Sequence, residues 1–274
     1  MELWFSESQS KSLKYSYRVK ELLASENTGY QKLAVFESEE LGRILTLDDV
    51  VQLTTRDEFI YHEMIAHVPL FTHKSPERVL VIGGGDGGTI REILKHPVKE
   101  VHLVDIDSRV IEASKKYFPS LSCGFEDPRV KIFVEDGLEF VKKHGGYDVV
   151  IIDSTDPVGP AEGLFSKKFY EDVFRSLNGD GIMVAQTESP IFEGDFIRRV
   201  YRDISSIFAF TSVYTAVIPT YPGALWTFTM GSKTVDPLLK DINEIPDIPT
   251  KYYSREIHKS CFCLPPFLQE LISG

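Results

Sequence analysis

Carboxylates stand just past the ends of several apolar runs in this sequence, and their neighbours say what each could do. The run VVIID ends on Asp153, Asp156 follows three residues later, and Pro157, Gly159, Pro160 and Gly163 shape what comes next. Two carboxylates held beyond a buried strand can grip a cation or take up a proton. Upstream, RVLVIGGGDGGTIREILKH sets Gly83, Gly85 and Gly88 in G-x-G-x-x-G spacing between a strand and a helix. Glycines there let backbone approach a ligand closely, and a helix N-terminus presents free N–H groups. Asp105 ends the next run, about 20 residues on, where an acidic side chain can take ribose hydroxyls. Asp107 is placed to cap the helix that follows. In VEDGLEF, Asp136 can accept from an adenine amino group while Gly137 leaves room for the ring, and Asp136 can equally cap a helix.

Asp86 narrows the ligand. A carboxylate inside the glycine loop repels a pyrophosphate and suits a positive group. Ribose, base and positive charge together describe an adenosyl sulfonium compound better than NAD. Glu188 in AQTES, Tyr61, His62 and Tyr221 add carboxylates and rings suited to a polyamine. Carboxylates would take its ammonium groups, and ring faces would line its methylene stem. Metal ligation is the rival reading of clustered carboxylates, but ligand-spaced histidines are missing. The segment from Asp156 to Gly163 reads as a flap over the site, with the next helix starting near Ser166 or Lys167.

These side chains need a scaffold. From Arg78 onward RVLVI, VHLVD, VKIFV, DVVIID and IMVAQ alternate with helical segments at Thr89–Leu94, Arg109–Tyr117, Leu138–Lys143 and Lys167–Leu177. Continuous apolar strands alternating with helices predict an α/β fold with a parallel sheet covered on both faces. SVYTAVI and LWTFTMG, after a helix near Asp195–Ser206, bring the strand count to seven. Residues 1–55 alternate apolar and polar, with turns at Glu39–Gly42 and Asp48-Asp49, and predict a small antiparallel β unit of short strands. DEFIYHEMIAHVPLFTH carries Phe59, Ile60, Met64, Ile65 and Val68 at helical spacing and opens the main domain, residues 56–274, as a helix ahead of its first strand. The tail reads as short helices broken at Pro265-Pro266.

Composition bounds the partners. A formal net charge of −11 argues against a nucleic-acid surface and is compatible with a cationic ligand. No apolar run approaches a membrane span or a signal-peptide core, so a soluble cytoplasmic protein is expected. Cys123, Cys261 and Cys263 are too few for a disulfide framework and read as small buried thiols, not zinc ligands.

YQKLAVFES, DEFIYHEMIAHVPLF, VLVIGGGDGGTIREILKH, LVDIDSRVIE, VEDGLEFV, YDVVIIDSTDPVGPAEGLFSKKFY, VAQTESP and IPTYPGALWTFTMGS run over nearly the whole chain. Together they resemble the spermidine synthases, the aminopropyltransferase family. The resemblance implies a small N-terminal β domain and a methyltransferase-like Rossmann domain, assembled as a homodimer or homotetramer. It implies aminopropyl transfer from decarboxylated S-adenosylmethionine, a co-substrate, to putrescine, with no metal or bound cofactor. Agmatine, cadaverine or a longer polyamine are the alternative acceptors. By position, Gln31 would contact the nucleoside side of the donor, Asp105 the ribose, Asp136 and Gly137 the adenine, and Pro160 would line the same pocket. Asp86 would bind the donor amine. Tyr61, His62, Asp153, Asp156 and Tyr221 would surround the acceptor, with Gln186 nearby. Asp153 would be the proton acceptor, and Trp226 stands where acceptor length could be set.

The energetics constrain that role. An alkylamine resembles lysine, with pKa about 10.4, so neutralising it at pH 7 costs roughly 4–5 kcal/mol. A carboxylate of pKa about 3.9 is a poor base against it. Desolvation and the nearby sulfonium charge lower the amine pKa, so Asp153 orients the amine and takes its proton late. Asp156 or Glu188 anchors a charged part of the acceptor. A methyltransferase would want a neutral or positive partner for the methionine carboxylate, where this chain offers Asp86. An NAD-dependent oxidoreductase would want a loop that tolerates pyrophosphate. A non-catalytic binding protein would keep the pocket without turnover.

Overall fold

The computed structural model describes residues 2–157 and 159–273. The N-terminal strands β1 (Leu3–Ser8), β2 (Lys14–Asn27), β3 (Lys32–Ser38), β4 (Arg43–Leu47) and β5 (Val50–Thr54) form one antiparallel sheet in sequence order. Asp48 and Asp49 take φ of 50° and 63° in the tight β4–β5 turn, the left-handed pair that such hairpins favour. β2 is 14 residues long, not a short strand, because KYSYRVKELLASEN carries no turn signal; its alternation lapses where the pairing with β3 shifts register between Val19 and Ala24.

A second sheet has the order β11-β12-β10-β9-β6-β7-β8. Its strands are β6 (Arg78–Gly83), β7 (Glu100–Asp105), β8 (Val130–Val134), β9 (Tyr147–Asp153), β10 (Leu177–Gln186), β11 (Phe210–Val217) and β12 (Leu225–Ser232). The first five in chain order pair in parallel, and β12 runs antiparallel to both its neighbours. This is the seven-stranded α/β architecture expected. The chain starts the sheet at β6, builds outward through β7 and β8, then returns to add β9 on the other side. That reversal leaves a crevice at the carboxyl ends of β6 and β9.

The helices are α1 (Glu58–Thr72), α2 (Gly88–Ile93), α3 (Ser108–Tyr117), α4 (Gly137–Lys143), α5 (Lys167–Ser176), α6 (Gly194–Ser205), α7 (Arg255–Ser260) and α8 (Pro266–Ser273). α1 is buried on every side, with only Phe59 half-exposed, so its polar residues are enclosed as well as its apolar stripe. Glu63 on α1 accepts from the backbone amides of Lys251, Tyr252 and Tyr253 at 2.8 Å each and ties down the C-terminal segment. The N-terminal sheet docks on α3, where Leu33, Val35 and Leu45 pack with Val110, Ala113 and Phe118. Asp107 caps α3 through Arg109 N and also accepts from Thr28 Oγ1 and Gln31 Nε2, joining the two sheets' territories.

All three cysteines are free, but only Cys261 is buried; Cys123 and Cys263 are exposed, because the turns carrying them sit at the surface. Among the described residues no helix is long and apolar enough to cross a membrane.

Candidate active site

A cavity of about 560 Å³ opens where the carboxyl ends of β6, β7, β8 and β9 meet the β3–β5 edge of the N-terminal sheet. Gln31, Tyr61, His62, Asp86, Asp105, Asp136, Gly137, Asp153, Asp156 and Tyr221 all line it. Six aspartates line the cavity (Asp48 is the sixth), and among the described residues no lysine or arginine does. Such a wall disfavours phosphate and favours a cation.

Asp153 ends β9 and is 9% exposed. Its Oδ1 accepts from the Tyr61 hydroxyl at 2.6 Å and its Oδ2 from Thr89 Oγ1 at 2.7 Å. Burial and the neighbouring Asp86 charge raise its pKa, against the pull of His62 and the two hydroxyls. The gap between this carboxylate and an amine is therefore narrower than for a free aspartate.

Gly83, Gly84 and Gly85 of the glycine loop line the cavity, and the loop's glycines also make room for neighbouring protein groups. A side chain at Gly83 would meet the Asp153 carbonyl oxygen at 2.2 Å, at Gly85 the Asp105 Oδ2 at 2.6 Å, and at Gly88 the His62 ring at 2.3 Å. Gly83 makes room for the Asp153 backbone, and Gly85 and Gly88 for the Asp105 and His62 side chains. The α2 amides are not all free either, since Gly88 N donates to Asp86 Oδ1 at 2.7 Å and Gly87 N to Gly84 O at 2.9 Å.

His62 Nδ1 lies 2.6 Å from Glu58 Oε2, and its Nε2 lies 3.1 Å from Asp86 Oδ1. Burial opposes a charged ring, but the two carboxylates outweigh it and raise the His62 pKa to about 10. Asp86 is likewise disfavoured by burial yet held ionised, below its usual range, by His62 and the Gly88 amide. With both nitrogens so engaged, His62 offers an acceptor amine no free lone pair, and its effect on one passes through Asp86. His62, Asp86 and Asp153 bring ligand atoms within 4.8 Å of one another, with His62 already paired to Asp86 and Glu58. The other such group, His73, Asp148 and Asp180, has Asp148 taken up by the Glu77 and Arg78 amides and Asn178.

Asp105 accepts from Gly85 N at 3.0 Å and Asp107 N at 2.9 Å. Burial dominates and pushes its pKa up to about 6. Asp136 does both things foreseen: it caps α4 through Leu138 N at 2.8 Å and lines the cavity. Gln31 reaches the cavity from β3's leading turn while its amide is held by Asp107. The reading of Pro160 concerns a side chain outside the described residues.

At the other end Asp156 and Glu188 share a hydrogen bond, and burial raises both pKa values, Glu188 well above normal. Glu188 sits at φ 69°, held by Gln186 Oε1 on its amide and by Thr227 on its carbonyl. Gln186 is not in the cavity wall; its Nε2 instead donates to Ser154 O at 3.2 Å and so fixes the loop after Asp153. Glu7 of β1 was not foreseen. It does not line the cavity; its Oε1 accepts from Val51 N, its Oε2 has no partner among the described residues, and burial raises its pKa, with a smaller push from the Asp156 charge. Only strand alternation in WFSES could have hinted that it points inward.

Tyr61 and Tyr221 pack edge-on, with centroids 5.8 Å apart, and the Tyr221 hydroxyl donates to Gln52 O at 2.7 Å. Both hydroxyls are engaged, leaving rings for a methylene stem. Trp226 is buried behind Tyr221, ring centroids 4.5 Å apart, and does not reach the cavity. Any effect it has on acceptor length is relayed by Tyr221.

The expected flap is only partly a loop. Gly159–Phe165 winds into a 3-10 helix whose Ala161 and Phe165 are buried in the core, and Gly163 closes on Leu138. Apolar Ala161, Leu164 and Phe165 anchor it. Ser166 caps α5 through Phe169 N, as its position predicted.

The sequence model described as the spermine/spermidine synthase domain matches residues 58–241, and that of the spermidine synthase tetramerisation domain matches residues 3–55. The chain belongs to the spermine/spermidine synthase family. A polyamine aminopropyltransferase of Thermoanaerobacter sp. (strain X514) is 55% identical over 273 residues, 99% of each chain. The polyamine aminopropyltransferase of Bacillus subtilis (strain 168) is 53% identical over 273 residues, again 99% of each. A crystal structure of spermidine synthase in complex with the transition state analogue AdoDATO superposes with a TM-score of 0.96 at 39% identity, covering 99% of this chain and 95% of that one. Spermidine synthase from Thermotoga maritima gives 0.94 at 39% identity, covering 99% and 94%. The chain is thus an enzyme of an aminopropyl-transferring family, with that family's fold.

Proposed function

We propose that this enzyme transfers the aminopropyl group of decarboxylated S-adenosylmethionine to putrescine, giving spermidine and methylthioadenosine. The observation that carries the reading is the order of carboxylates along the sheet edge: Asp136 and Asp105 past β8 and β7, Asp86 past β6, Asp153 at β9, and Glu188 past β10. Strand spacing makes that edge about 19 Å long, which suits a nucleoside, a sulfonium arm and a diamine laid end to end.

Nucleoside binding falls to Asp105 and Asp136, and the donor's primary amine to the ionised Asp86. An acceptor ammonium sits against Asp156 in the cavity wall, with Glu188 behind Asp156 and outside the wall, and its stem lies along Tyr61 and Tyr221. This leaves the second amine beside Asp153. In the transfer, the amine nitrogen forms a bond to the propyl carbon as the carbon–sulfur bond breaks, and that bond's electron pair neutralises the sulfonium. The nitrogen's surplus proton passes to Asp153. The donor carries its own leaving group, so the proposed step uses no metal or resident cofactor. Desolvation in the cavity and the sulfonium charge lower the amine pKa, while burial raises that of Asp153, so the gap the proton must cross is narrowed from both sides.

Intact S-adenosylmethionine would put its carboxylate beside Asp86 and is expected to bind weakly. We also propose a tetramer, on the match of residues 3–55 to a tetramerisation domain and the exposure of Leu3, Trp4 and Leu22 on the N-terminal sheet. The test is to incubate the purified protein with decarboxylated S-adenosylmethionine and putrescine, cadaverine, agmatine or spermidine in turn. Methylthioadenosine should form fastest with putrescine, and preference for another acceptor would overturn that part of the reading.

A further inference from the structure

A continuous chain of alternating charge runs from the cavity into the protein on the α1–α2 side. Asp86 Oδ1 meets His62 Nε2 at 3.1 Å, and His62 Nδ1 meets Glu58 Oε2 at 2.6 Å. Both oxygens of Glu58 are then taken by one guanidinium, Arg91 Nη1 at 3.0 Å and Nη2 at 2.9 Å. Arg91 Nε is held in turn by Glu92 Oε1 at 2.8 Å. The side chains of Glu58, His62 and Glu92 are 7%, 3% and 1% exposed. Neither Glu58 nor Arg91 lines the cavity.

We propose that Arg91 is a positioning residue for recognition of the donor's primary amine: its guanidinium fork fixes Glu58, Glu58 fixes His62, and His62 aims the Asp86 carboxylate into the cavity. This rests on the proposed role of Asp86. The geometry has no slack. A two-pronged guanidinium–carboxylate pair fixes direction as well as distance. The His62 ring packs directly on Gly88, in the space a side chain there would need. Its Nε2 and the Gly88 amide both meet Asp86 at Oδ1, leaving Oδ2 for a ligand. Without Arg91, Glu58 becomes a buried carboxylate whose one remaining charged partner in the chain is His62. With the fork gone, nothing fixes the direction of the Glu58 carboxylate, the His62 ring it holds loses its set orientation, and Asp86 loses a fixed partner.

Methylthioadenosine separates this role from a structural one, since it keeps the nucleoside and lacks the amine. Calorimetry on Arg91→Met should show decarboxylated S-adenosylmethionine bound about tenfold more weakly and methylthioadenosine changed by less than about twofold. KM for putrescine should stay put, and Arg91→Lys, with charge but no fork, should recover part of the loss. Equal weakening of both ligands, or of neither, overturns the proposal. If Arg91→Met does not fold, Glu58→Gln must show the same split. Asp86→Asn is the control. If it leaves the ratio of the two affinities unchanged, the reading of Asp86 itself fails. If it shifts the ratio and the Arg91 and Glu58 variants do not, only the inference fails.

Discussion

The Tyr61 hydroxyl donates to Asp153 Oδ1 at 2.6 Å across 92 positions of sequence, while Thr89 holds Oδ2. The carboxylate is thereby fixed in plane, with a lone pair left on each oxygen for an incoming amine. Asp153→Asn keeps the shape and removes the proton acceptor. Turnover should fall by well over tenfold while methylthioadenosine affinity holds. Tyr61→Phe frees Oδ1 and should cost less, roughly tenfold in kcat. A variant Asp153→Asn within tenfold of the parent would falsify the role given to Asp153.

Burial raises the pKa values of Asp156 and Glu188, and each carboxylate, once ionised, disfavours ionisation of the other, so a proton shared by the pair is the expected state. An acceptor ammonium changes that balance. Putrescine binding should therefore release a proton from the pair, read as a dependence of the calorimetric enthalpy on buffer ionisation. Affinity should weaken as pH falls, and Glu188→Gln should reduce the release. Identical enthalpies for wild type in phosphate and Tris would refute the shared proton.

Asp105 titrates at about 6, chiefly because it is buried. Below that pH it is neutral and a weaker acceptor for ribose hydroxyls. Methylthioadenosine should bind progressively more weakly from pH 7.5 to pH 5, and Asp105→Asn should bind weakly throughout with a flat profile. A flat wild-type profile counts against the assignment.

His62 is raised from 6.5 to about 10 by Asp86 and Glu58, against burial. A raised histidine stabilises the fold fully below its unfolded value and loses that contribution as pH rises through the folded one. The difference in Tm between wild type and His62→Gln should be largest near pH 6, smaller at pH 8 and smallest at pH 10. A difference that grows with pH would mean the ring is neutral.

By itself the sequence determined the seven strands, their helices and most of the cavity's carboxylates. Apolar runs of β-branched residues can only be buried in a sheet covered on both faces. In a parallel sheet every strand ends on the same edge, so Asp105, Asp136 and Asp153 had to converge there. Glu58 and His62 also carried a readable signal, an i, i+4 pair on a predicted helix. The tertiary structure decided how those groups are tuned. That Gly83 makes way for the Asp153 backbone, and Gly85 and Gly88 for the Asp105 and His62 side chains, depends on groups arriving from other elements. The segment after Pro157 is half anchored because Ala161 and Phe165 found a core to enter. Gln186 turned from the cavity to hold Ser154, and Arg91, 33 positions from Glu58, carries no mark of its role in the letters around it. Periodicity constrains what lies along one element. Charge pairing between elements depends on how they pack, and that is set only when the chain is folded.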